Sequence, residues 1–163
     1  MRIVLIIIFI LVLLLFQIGI LPNLAIARAY PNLILLTILS LSIFQGWKKV
    51  LPWIIIGGLF LDFYSFHGVL GISVTSLLLV SYVIYFLSQN IFKKDDFISL
   101  IILFIINILV YNICLIILSN ILTPGFDFRF LTFFTSLIYN LIFALPMFYL
   151  IEIYVRRIGK IQS

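Results

Sequence analysis

The sequence predicts an all-α integral membrane protein, a single domain over residues 1–163 that crosses the bilayer six times. Three observations lead there. Apolar residues make up 66% of the chain and charged residues only 9%, against about a quarter charged in soluble domains; the mean hydropathy is +1.40. The apolar residues fall into six runs, most of them near the roughly 20 residues that a helix needs to cross the hydrocarbon. The cations, finally, sit at alternate joints between those runs. Arg2 precedes the first run, Lys48 and Lys49 follow the second, Lys93 and Lys94 the fourth, and Arg156, Arg157 and Lys160 the sixth. Of the 10 Lys and Arg residues, only Arg28 and Arg129 fall in the intervening joints. Because cytoplasmic loops collect Lys and Arg, both termini are expected on the cytoplasmic side.

Helix 1 is expected over about 3–21, ending at Pro22-Asn23. Ala25-Ile26-Ala27 loosely resembles a signal cleavage site, but the run Ile3–Ile20 exceeds the roughly 7–15 residues of a signal core and fits the charge alternation as a span. Helix 2, 31–45, opens at Pro31, a favoured first helical position, and stops at Gly46. Helix 3 covers 49–64. These two are the short pair, roughly 15 residues each and marginal for a perpendicular crossing. A re-entrant hairpin is the alternative, but Gly46-Trp47-Lys48-Lys49 puts two lysines and a Trp at the turn, which suits an interface. Helices 4, 5 and 6 cover 69–91, 97–122 and 130–154. Lys93-Lys94 faces the negative end of helix 4, and Asp95-Asp96 caps the positive end of helix 5; docking of a cytoplasmic partner is the other use of that cluster. Thr123-Pro124-Gly125-Phe126-Asp127 reads as a turn into helix 6, which Pro146 is expected to kink.

Several function classes fall away. The net charge of +5 is too dispersed for nucleic acid, and anionic headgroups account for its placement. A single cysteine, Cys114, and a single histidine, His67, give no intramolecular disulfide and no cysteine- or histidine-based metal cluster. No serine has a histidine at workable spacing, no glycine loop cradles a phosphate, and no paired inward carboxylates occur. Neither catalysis nor a cofactor is expected.

Polar residues inside apolar runs carry the remaining information, because the bilayer makes them costly. Asp62 is flanked by apolar sequence and shares a helix face with Gly58, four residues earlier. A glycine there admits a neighbouring backbone, to which the carboxylate can bond. Asp62 has functional readings as a proton relay, cation ligand or partner contact. Its structural readings are a cap on helix 4 and a bond to His67 or Arg129. Gly68 and Gly71 lie in the loop that leads to helix 4. Asn107 and Tyr111 share a face of helix 5, with Asn112 adjoining, and Ser136 and Asn140 share a face of helix 6. These are candidates for helix packing or partner binding, and a polar pocket for a headgroup or small ligand is the second use of the same side chains. Glu152 and Arg156, four apart, fit an ion pair at a helix end.

The stretches Pro31-Asn32-Leu33-Ile34-Leu35-Leu36 and Gly57-Gly58-Leu59-Phe60-Leu61-Asp62, followed by Gly68 and Gly71, resemble the MreD family of rod shape-determining membrane proteins. The likeness covers roughly residues 31–90, and Asn32 stands where an aspartate is expected in many relatives. The resemblance implies a non-enzymatic component of the bacterial elongation machinery in the cytoplasmic membrane. Such a component would link the bitopic protein MreC and the actin-like MreB filament to the peptidoglycan glycosyltransferase and transpeptidase. It also implies a fold similar to the substrate-binding subunits of energy-coupling-factor vitamin transporters. Such a subunit is the rival reading, and a proton-coupled carrier using Asp62 is a third.

Overall fold

A computed structural model describes residues 12–26, 29–64, 69–91, 96–122 and 130–160, with side chains to 156 in the last helix. Among them the chain is helical. The described part of α1, Val12–Leu24, passes into a π turn over Phe16–Ile20 and a 3-10 turn over Leu21–Leu24 that holds Pro22. The remaining helices are α2 (Leu33–Gln45), α3 (Trp47–Tyr64), α4 (Ile72–Asn90), α5 (Phe97–Leu122) and α6 (Phe130–Lys160). Among the described residues three helices are long and apolar enough to cross a membrane: α4, α5 and the Phe130–Arg156 part of α6.

Helix α2 is the axis of the molecule. All of Leu33–Ile43 is buried, and α3, α4 and α6 pack around it while α5 closes the ring between α4 and α6. A helix that is apolar all round belongs inside protein, so its 13 residues need not match the bilayer thickness. The shortness that made the sequence ambiguous here is the mark of a core helix. Its hydroxyls are satisfied without leaving the helix: Thr37, Ser40 and Ser42 each donate to the carbonyl four residues back, at 2.7–2.8 Å. Ser42 also meets Ser81 of α4 at 2.9 Å. Towards the Lys48 end, Phe148 of α6 packs against Phe44 and Phe104 with centroids 5.0 and 6.1 Å away.

Several boundaries differ from the expected ones. Helix 2 begins at Leu33, with Pro31 outside it, because the Asn32 side chain accepts from the Leu35 amide at 3.0 Å and takes the cap position. Helix 3 begins at Trp47, two residues early. Gly46, at φ 82°, ends α2 and its carbonyl accepts from the Lys49 amide at 3.2 Å, so one glycine is the whole joint. Helix 4 begins at Ile72 and not at 69, because Gly71 sits left-handed at φ 103°. Helix 6 continues to Lys160 and runs unbroken past Pro146. At the head of α5, Asp96 caps by accepting from the Ser99 amide and hydroxyl at 3.2 and 2.6 Å, and Glu152 pairs with Arg156. Arg28, His67, Lys93, Lys94, Arg129 and the turn at 123–127 lie outside the described residues.

Candidate functional site

The antiparallel order brings the ends of α1, α3 and α5 together with the starts of α2, α4 and α6. The buried polar side chains concentrate there, at the end opposite Lys48 and Lys49. The α3–α4 contact forms one side of it. A Cβ added to Gly58 would lie 2.7 Å from the Val74 Cα and 2.9 Å from its nitrogen, so the two backbones touch at this point. One turn on, Asp62 is 5% exposed and accepts from the Gly71 and Ser73 amides, each at 2.7 Å. The first amides of a helix have no intrahelical partner and carry its positive dipole. The carboxylate fills that need from a neighbouring helix. Gly58, Asp62 and Gly71 thus act as one unit: the glycine lets the helices meet, the acid fastens them, and the left-handed turn presents the amides. Gly68 lies outside the described residues.

The opposite side is knitted by amides. The Asn32 backbone N–H donates to Asn140 Oδ1 at 2.7 Å, and its side-chain amide reaches the Tyr111 hydroxyl at 3.4 Å. Asn140 is itself held by the Ser136 carbonyl and hydroxyl at 2.9 and 3.2 Å. From α1, Gln17 accepts from the Leu33 amide at 2.8 Å and donates to the Pro31 carbonyl at 3.4 Å. Tyr139 donates to the Leu24 carbonyl at 2.8 Å. The α1–α2 corner is therefore tied to α5 and α6 by side chains that the sequence scatters over more than 100 positions.

Between these two sides lies a cavity of about 200 Å³. Gln17, Asn32, Ser73, Tyr111, Asn112 and Asn140 line its inner part, and Tyr30, Tyr64, Thr132 and Ser136 are half-buried around it. Among the described residues no acid, base or histidine lines it. Burial, with Tyr64 adding to it, pushes the Tyr30 phenol above its ordinary value. Of the residues singled out from sequence, Tyr111 and Asn140 meet here, with Asn112 beside them. Asn107 does not line the cavity: its amide donates to the Leu103 carbonyl at 2.7 Å, and its Oδ1 has no hydrogen-bond partner. Sequence reasoning passed over Gln17 and used Asn32 only as a point of comparison. The signal for both was an amide set in an apolar run, which bilayer energetics makes costly. Among the described residues no group of three or more His, Cys, Asp and Glu side chains could hold a metal ion. The arrangement offers hydrogen bonds and a fixed shape.

Comparison with protein families matches residues 1–158 to rod shape-determining protein MreD. The chain belongs to the MreD family. The match extends over nearly all of the sequence, well beyond the core at 31–90 that carried the resemblance. Membership gives the chain a role in determining rod shape, and its long apolar helices make it a membrane protein. No curated protein and no solved structure matches it.

Proposed function

We propose that the chain is a non-enzymatic scaffold of the bacterial cell-elongation machinery, linking MreC, and through it MreB, to the peptidoglycan glycosyltransferase and transpeptidase. On this reading it crosses the cytoplasmic membrane six times with both termini cytoplasmic, and the polar end around Asp62 faces the periplasm. The observation that carries it is the family match over residues 1–158. The geometry is consistent with a scaffold, since Asp62, Gln17, Asn32 and Asn140 are spent on joining elements. The apolar flank of α6, with Phe130, Leu131, Ile138 and Ile142 exposed, offers a surface on which a single-span partner helix can lie within the bilayer. The expected likeness to vitamin-transporter subunits belongs to the same reading and would leave a related helix arrangement without a vitamin.

Depletion in the native host tests the role: cells should round up, and the protein purified from native membrane should bring MreC with it. Gly58→Leu, which wedges α3 from α4, should lose that co-purification more completely than Asp62→Asn. Tight binding of a vitamin together with normal cell shape on depletion would overturn the scaffold in favour of a transporter subunit.

A further inference from the structure

We infer that the cavity at the polar end is a binding site for an uncharged, hydroxyl-bearing group, of the kind carried by a glycolipid headgroup or by a free monosaccharide. Three observations converge. The first is size: about 200 Å³ far exceeds the roughly 10–15 Å³ that one water needs. It falls short of the roughly 300–1,000 Å³ of pockets for drug-sized ligands, which fits one small ring or headgroup.

The second is an unspent donor. Asn112 lines the cavity at 9% exposure, and its Nδ2 is buried with no hydrogen-bond partner. Buried amide N–H groups without partners are rare in native folds and costly, so an acceptor belongs beside this one. The neighbouring amides are already committed: Asn140 to the Asn32 backbone, Gln17 to Leu33 and Pro31. The walls are therefore fixed before a ligand arrives, and the free group is the one that would read it.

The third is the chemistry of the lining. Among the described lining residues a phosphate or carboxylate would meet no cation and an ammonium no anion, and burying either charge unpaired is costly. Asp62 is not among those residues, and its two oxygens accept the Gly71 and Ser73 amides at the head of α4. The lining offers the amide of Asn112, the hydroxyl of Ser73, and the phenols of Tyr30, Tyr64 and Tyr111. Amides and hydroxyls both donate and accept, as the hydroxyls of a sugar do, and tyrosine adds an apolar face beside a polar tip.

The full chain, reconstituted in nanodiscs, is offered monoglucosyl-diacylglycerol, phosphatidylglycerol and phosphatidylcholine with identical acyl chains, and retained lipid is counted by native mass spectrometry. The neutral glycolipid should be retained about tenfold over either phospholipid. Asn112→Leu should abolish the preference. Tyr64→Phe keeps the ring and its packing, and should weaken the preference at least threefold with an unchanged melting temperature of the empty protein. Displacement by free glucose would identify the sugar alone as sufficient, and failure to displace would identify the lipid-linked form; either supports the site. Equal retention of all three lipids, preference for a charged headgroup, or retention unchanged in both variants overturns it.

Discussion

Gly58→Ala turns the α3–α4 contact into a change of predictable sign. The new Cβ would sit 2.7 Å from the Val74 Cα and Cγ2, where carbon atoms settle at roughly 3.5–4.0 Å. The helices must part by roughly 1 Å, and the nearest obstacle is backbone, which cannot rotate away. Overpacking of this kind costs about 1–3 kcal/mol, and a backbone clash belongs in the upper half of that range. Against it, alanine gains about 1 kcal/mol over glycine within a helix. The net loss is about 1–2 kcal/mol, and at about 2–4 °C per kcal/mol for a chain of this size the melting temperature should fall by about 2–8 °C. Tryptophan fluorescence of the detergent-solubilised protein reads this directly, with Trp47 and Trp53 both on α3. Gly19→Ala is the control, because a Cβ there has no atom within 4 Å, and it should leave the melting temperature level or slightly raised. A rise in Gly58→Ala equal to that control would refute the reasoning, since it would place this face against lipid.

Four further outcomes follow from the same geometry. Asp62→Asn keeps one acceptor oxygen but turns an N–H toward the other amide, at about 2 kcal/mol; the Gly71 and Ser73 amides should then exchange hydrogen faster than in the parent, and protection unchanged at both would contradict the cap. Gly71→Ala has room for its methyl yet must hold φ near 103°, so it should lose about 1–3 kcal/mol, and Gly71→Asn, which tolerates that region better, should recover part of it. A double-mutant cycle on Ser42→Ala and Ser81→Ala should return a coupling of about 0.6 kcal/mol, the average for hydrogen bonds between membrane helices, and a coupling of zero would mean the 2.9 Å contact carries no energy. Alkaline phosphatase fused after Lys160 should be inactive and fused after Leu122 active; the reverse pattern would invert the proposed orientation.

The helices that face lipid were legible because their signal is local. The outline of α5 follows from an uninterrupted apolar run, and the expected range 97–122 coincides with Phe97–Leu122. Where a single residue decides a boundary, the expected start differs from the observed one by two or three residues. Asn32 displaces Pro31 from the start of α2, and the left-handed Gly71 delays α4 to Ile72. The pairing of Asp62 with α4 was legible as one of several readings, because Gly71 and Ser73 lie only 9 and 11 residues away. The Asn32–Asn140 bond spans 108 residues, and nothing in either neighbourhood names the other.

What the sequence determined by itself is the class of the molecule and its apolar segments. Transfer of a residue from water to hydrocarbon is scored largely one segment at a time, so composition suffices for both. Only the tertiary structure decided that α2 is the enclosed axis, that Gly58 touches the backbone of Val74, and that Gln17, Asn32, Tyr111 and Asn140 surround one cavity. Inside a bilayer apolar side chains are interchangeable with lipid, so partner choice between helices rests on backbone fit and a few directed hydrogen bonds. Those depend on three-dimensional positions that hydropathy does not encode.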